Sequence, residues 1–203
     1  GQHWRDVASG AFDGMGSMGN GGAMRAAPIG AYFADDLDKV LYYAQVSAEV
    51  THAHIEGITG AMAVATASAL LLNKKFGHYC GQGESFLRDV ADPLPESDTK
   101  YKILSAISIK KESSIDFVVS VLGNGLKLTA QDTVPLCLWC AAHFYTSLEE
   151  ALWIAVSALG DRDTICAIVG GMLSLYADKL PQQWLRYMEH PENSVFMNCT
   201  SDD

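Results

Sequence analysis

From Ile58 to Leu72 the chain runs fifteen residues without a charge, rich in Ala and Thr. That is too short to cross a bilayer comfortably, which takes about 20 apolar residues. It reads instead as a buried helix. Extended to Phe76, the run is dense enough in small side chains for neighbouring helices to approach its backbone closely. A chain built round such a helix must surround it on every side with further apolar faces.

Those faces are legible. Leu37–Val50 places Leu37, Val40, Leu41, Ala44 and Ala48 on one helical face. Tyr101–Ile109 does the same more briefly with Ile103, Leu104 and Ile107. Pro135, two residues after Thr133, suggests a helix start that carries through Trp139 to Tyr145. Ser147-Leu148-Glu149-Glu150 is a capping-box pattern ahead of Ala151–Leu159. Ile165–Tyr176 is a strongly apolar helix, and Pro181 opens a last one, Gln182–Glu189. Phe117–Leu122 is the one compact β-branched run, and it suits a strand or a helix equally. Loops are marked by Gly10–Gly22, Gly77–Gly83 and Asp92-Pro93-Leu94-Pro95, and residues 193–203 read as a frayed tail. The expected fold is a single compact, all-α multi-helix domain.

Charge narrows the partners. A formal net charge of -10 argues against grip on a nucleic-acid backbone, which needs a basic face. Backbone N–H groups, however, bind phosphate without net positive charge. The five cysteines are odd in number, and most lie in apolar surroundings. That suits reduced thiols in a cytoplasmic protein better than a disulfide framework. No secretory signal is visible, and nothing points to a membrane partner.

The most unusual segment is Gly14-Met15-Gly16-Ser17-Met18-Gly19-Asn20-Gly21-Gly22, with five glycines in nine residues. So much lost backbone entropy is worthwhile where positive φ or close approach is required. The loop empties into a helix-compatible segment, Ala23–Phe33, and so offers N–H groups to a phosphate. Gly14, Gly16 and Gly19 also satisfy G-x-G-x-x-G, but the dinucleotide-binding fingerprint needs a preceding strand, and Asp6–Asp13 does not form one. A merely flexible loop is the plain alternative.

Gly160-Asp161-Arg162-Asp163-Thr164 sets two carboxylates and a hydroxyl ahead of an apolar helix. These are hard oxygen ligands of the kind Mg²⁺ or Mn²⁺ prefers. They are equally an acidic helix cap. His52 and His54 stand two apart, so they do not share a helix face for a joint metal site. Cys137-Leu138-Trp139-Cys140 lacks the second pair a structural zinc would want and reads as core. Asp35-Asp36 looks like a solvated helix start.

Three segments together resemble the ADP-ribosylglycohydrolase family, which also includes the J1 crystallins. The first, Gly16-Ser17-Met18-Gly19-Asn20-Gly21-Gly22-Ala23-Met24-Arg25-Ala26-Ala27-Pro28-Ile29-Gly30, is close to the family's Gly-x-Gly-Asn-Gly-x-x-Met-Arg signature. The second is Ser47–His54 with its following small-residue helix. The third is Gly160–Ile168, similar at Gly160–Thr164 to the family's Gly-Asp-x-Asp-Thr. They occur in family order between Phe12 and Tyr176.

The resemblance implies a metal-dependent hydrolase that cleaves ADP-ribose from an ADP-ribosylated protein or small molecule. It implies that Asp161, Asp163 and Thr164 ligate part of a centre of two Mg²⁺ or Mn²⁺ ions. By the same resemblance Gly16, Ser17, Met18, Gly19 and Asn20 hold the phosphates of ADP-ribose, His52 assists them, and Phe12 packs on adenine. Family members also carry an upstream acidic residue and a Thr-Asp-Asp motif, and no Thr-Asp-Asp occurs here. Residues 1–203 are thus expected to be the C-terminal portion of one such domain. The catalytic acidic residue is expected from an upstream segment or a separate chain, and this chain alone is expected to bind metal poorly and hydrolyse nothing. An inactive ADP-ribose-binding or crystallin-like relative is the alternative.

Overall fold

The computed structural model describes residues 3–178, 180 and 182–187. Among them are twelve helices and no strand, and the single isolated backbone bridge pairs Gly19 with Thr129. The expectation of an all-α fold holds. The residue 193–203 tail lies outside the described residues.

The centre is α5, Ile55–Lys75, buried continuously from Glu56 to Ala69. By length and composition it could cross a membrane, but here other helices cover it. Against it pack α2 (Gly21–Met24), α3 (Ala27–Tyr32), α4 (Leu37–Glu49), α9 (Ala130–Phe144) and α11 (Arg162–Leu173), with α11 also touching α2 and α3. Small residues set how closely they come: a Cβ on Gly30 of α3 would collide with the Ala65 carbonyl of α5. α6 (Glu84–Ala91) and α7 (Asp98–Ala106) also touch α5, while α8 (Ile115–Leu122) and α10 (Leu148–Ser157) pack on α9, with α1 (Trp4–Gly14) and α12 (Gln182–Leu185) near the two ends.

Local chemistry fixes the helix starts. The Asp36, Ser97, Ser114 and Ser147 side chains each accept the backbone N–H three residues on, satisfying donors that a first helical turn leaves unpaired. α7 has a second support from the core. The buried Glu56 carboxylate of α5 accepts the Asp98 and Thr99 N–H groups at 2.8 Å each and the Thr99 hydroxyl at 2.6 Å. A buried carboxylate is tolerable where donors of this kind surround it.

Three expectations need correction. Ala23–Phe33 is two helices, not one: Pro28 has no N–H to return to Met24, so the chain breaks at Arg25 and Ala26 and restarts as α3. Pro135 does not open its helix. α9 begins at Ala130, where the Ala130 N–H donates to the Met18 carbonyl at 2.8 Å, and Pro135 lies inside it. α7 starts at Asp98 rather than Tyr101, drawn back by the Ser97 cap. The ambiguous Phe117–Leu122 run is helical within α8.

Candidate functional site

α1 is helical to Gly10 and then breaks. Phe12 and Asp13 adopt left-handed φ of 54° and 59°, followed by Gly14 at 84° and Gly16 at 74°. Two successive non-glycine residues in that region cost about 1–3 kcal/mol each, and such strain persists where the surroundings enforce it. The Gly16 N–H donates to the Ala11 carbonyl at 2.9 Å and closes the kink. Phe12 is left 66 % exposed, its ring delivered to the edge of a cleft rather than the core. Gly16 is required twice over. Its φ is positive, and a Cβ there would lie 2.7 Å from the His54 nitrogen.

Residues 18–20 pair with a second loop. The Asn20 N–H donates to the Leu128 carbonyl at 3.2 Å, alongside the Ala130-to-Met18 bond. The cleft between them has a volume of about 410 Å³; Phe12, Met15 and Gly16–Gly19 form one wall, and Lys127, Leu128 and Thr129 the other. The second wall escaped the sequence reading. Its signal is Gly123-Asn124-Gly125, where both glycines have positive φ and the turn is closed by the Gly125 N–H on the Asp132 carbonyl at 2.8 Å. The glycine loop also offers fewer free donors than its composition suggests. The Gly16, Gly19 and Asn20 N–H groups are already bonded, Gly19 to Ser17 Oγ at 3.1 Å. The Ser17 and Met18 N–H groups have no acceptor among the described residues.

His52 lies over this loop. A Cβ on Gly19 would meet its Nε2 at 2.9 Å and Ser17 Oγ at 3.1 Å. Burial, reinforced by the charge of Arg25, holds the His52 imidazole below its ordinary value of 6.5. His54 is elsewhere engaged, its Nδ1 accepting the Glu56 N–H at the start of α5.

Asn20 connects the loop to the acidic turn. Its Nδ2 donates to Thr133 Oγ1 and to Asp161 Oδ2, both at 3.1 Å. The amide nitrogen, not its oxygen, must face the carboxylate, since two acceptors would repel. Asn20 sits at the N-cap position of α2 yet does not cap it. Asp161 likewise precedes α11 without capping it through its side chain. Its carboxylate is free for Asn20, and its N–H donates to the Asn124 carbonyl at 2.9 Å. Asp163 is held below the ordinary carboxylate range by its contact with the Asp161 carboxyl, and by the N–H groups of Thr164 and its own residue. Thr164 is buried beside them in the first turn.

Two carboxylates in contact, with a hydroxyl next to them, are a hard-oxygen donor set that suits Mg²⁺ or Mn²⁺. They cover part of a coordination shell of about six. Among the described residues no three or more His, Cys, Asp or Glu side chains converge on one point. The other candidates lie apart: Asp36 caps α4 and pairs with Lys39 at 2.9 Å. Cys137 and Cys140 are buried free thiols in α9.

The family model described as ADP-ribosylglycohydrolase matches residues 2–200. The chain is 32% identical over 224 residues to the ADP-ribosylhydrolase ARH3 of Homo sapiens, covering 94% of this chain and 60% of that protein. It is 30% identical over 221 residues to the ARH3 of Bos taurus, covering 94% of this chain and 60% of that protein. An uncharacterized protein of Archaeoglobus fulgidus is 32% identical over 177 residues, covering 85% of this chain and 54% of that protein. The chain thus spans about 60% or less of the length of these relatives.

Proposed function

This chain belongs to the ADP-ribosylglycohydrolase family, and from that premise we propose that it carries part of the site of a hydrolase that releases ADP-ribose from an acceptor. The observation that carries the reading is Asn20. One side chain joins the glycine loop to the Asp161 turn, so a ligand on the loop lies beside the acidic pair.

The division of labour follows from the donors. Ser17 and Met18 offer N–H groups, and Ser17 and His52 offer side chains, to the diphosphate. Phe12, Met15 and Leu128 present apolar surface to adenine. Asp161, Asp163 and Thr164 would hold Mg²⁺ or Mn²⁺, with water and further protein donors completing the shell. When bound, such ions supply the positive charge that orients ribose hydroxyls and an attacking water. Asn20 keeps the Asp161 carboxylate turned toward that position, as outer hydrogen bonds do for metal ligands. Water attack at the anomeric carbon, through an oxocarbenium-like transition state, then releases the acceptor. The reduced-thiol composition suits a cytoplasmic setting for this chemistry.

The test is ADP-ribose release by the full-length protein with Mg²⁺ or Mn²⁺, beside an Asp161→Ala, Asp163→Ala variant. The reading expects near-complete loss in the variant; full activity there would remove the metal assignment. A second reading, a binder without turnover, is favoured by the convergence of only two carboxylates among the described residues. It expects ADP-ribose binding and no release in the same assay.

A further inference from the structure

The end of α4 and the end of α2, capped by Arg25, are tied to His52 by a short chain of hydrogen bonds. One terminal nitrogen of Arg25 donates to the Ser47 carbonyl at 2.8 Å and to Thr51 Oγ1 at 2.7 Å. Thr51 Oγ1 lies 2.7 Å from His52 Nδ1. The opposite edge of the ring faces the glycine loop, where a Cβ on Gly19 would come within 2.9 Å of Nε2 and one on Gly21 within 3.1 Å.

A neutral imidazole has one proton, and the nitrogen that holds it is set by the bond the other nitrogen makes. Thr51 Oγ1 already accepts from a guanidinium that never loses its charge. A hydroxyl polarised in this way is a stronger donor. A ring N–H directed at the same oxygen would point its positive end toward the Arg25 cation. The favourable arrangement runs one way: Arg25 N–H to Thr51 Oγ1, Thr51 O–H to His52 Nδ1, and the ring proton on Nε2. Burial and the Arg25 charge both keep the ring neutral, so this arrangement is the one present at neutral pH.

We infer that Arg25 and Thr51 are positioning residues that lock His52 as the Nε2–H tautomer, so that a hydrogen-bond donor rather than an acceptor faces the glycine loop. The consequence for a ligand rests on the diphosphate reading above; the tautomer itself does not. An Nε2 lone pair turned to this loop would repel a phosphate oxygen, whereas Nε2–H attracts one beside Ser17 Oγ. Neither positioning residue touches the ligand. Each acts through the ring.

Two-bond proton–nitrogen correlation spectra of the ¹⁵N-labelled chain, recorded above the ordinary imidazole value, read the tautomer directly. The expected result is a single Nε2–H form for His52 in the wild type and in Thr51→Ser, and a mixture of tautomers in Thr51→Val. ADP-ribose affinity should fall about two- to tenfold in Thr51→Val, the worth of one hydrogen bond, recover in Thr51→Ser, and leave the affinity for adenosine unchanged. A mixed or Nδ1–H wild type, or a Thr51→Val ring identical to the wild type, overturns the inference. A single, Thr51-dependent tautomer in a full-length protein that does not bind ADP-ribose supports the relay and overturns the proposed function instead.

Discussion

Replacing Asn20 by Ala separates a site from two neighbouring loops. The side chain is 8 % exposed and uses both hydrogens of Nδ2, one on Thr133 Oγ1 and one on Asp161 Oδ2. The first bond is neutral and worth about 0.5–1.5 kcal/mol; the second, to a carboxylate, about 1.5–3 kcal/mol. Asn20→Ala should destabilise the chain by about 2–4 kcal/mol. At about 2–4 °C per kcal/mol for a domain of this size, Tm falls by about 5–15 °C. Thr133→Val removes the neutral bond from Asn20 and the one the Thr133 hydroxyl donates to the Thr129 carbonyl at 2.9 Å, and should cost about 1–2 kcal/mol. The carboxylate it leaves in place keeps its donor, so Mn²⁺ affinity should be retained in Thr133→Val and fall about 10–100-fold in Asn20→Ala. Urea unfolding followed by circular dichroism gives the stabilities, and Mn²⁺ titration of the full-length protein gives the affinities. The reasoning fails if Asn20→Ala costs no more than Thr133→Val, or if the two variants bind Mn²⁺ alike.

Other perturbations address other links. Glu56→Ala removes the two oxygens that accept three hydrogen bonds at the start of α7 and should cost about 3 kcal/mol or more in urea unfolding, with Glu56→Gln costing less because one oxygen remains; a loss under about 1 kcal/mol for Glu56→Ala would mean the donors find water. Gly19→Ala drives a Cβ against His52 Nε2 and Ser17 Oγ, so ADP-ribose binding by calorimetry should weaken about tenfold or more while Tm hardly moves. His52 and His143 both have imidazoles held below 6.5, chiefly by burial. The unfolded chain then binds more protons than the folded one just below that value, so stability rises with pH through this window and levels off above it. Urea midpoints measured across the window should show this slope, and it should flatten in a His52→Gln, His143→Phe variant.

Much of the fold was legible because it depends on local repeats. The uncharged Ile58–Leu72 run became the core helix, and Ser147 caps α10 with its hydroxyl on Glu150, as the capping pattern implies. Helix boundaries set by distant partners were not legible. Ala130 starts α9 because Met18, far away in sequence, accepts its N–H, and no window round Pro135 contains that information. The site divides in the same way. Gly16, with its positive φ, and the Asp161–Thr164 turn stand out by composition. Lys127–Thr129 is ordinary in sequence and becomes a cleft wall only by pairing with the glycine loop. Asn20 was visible as a member of the loop, but its reach to Asp161 spans most of the chain and belongs to the tertiary structure alone.

The proposed joint site for nucleotide and metal is tested most directly by a crystal structure of the full-length protein with ADP-ribose and Mn²⁺, the metal located by its anomalous signal. The expected result is the diphosphate over Gly16–Gly19 near His52, with Mn²⁺ at bonding distance, about 2.1–2.2 Å, from the Asp161 and Asp163 carboxylates. Nucleotide bound away from the glycine loop, or Mn²⁺ bound away from both aspartates, would contradict it.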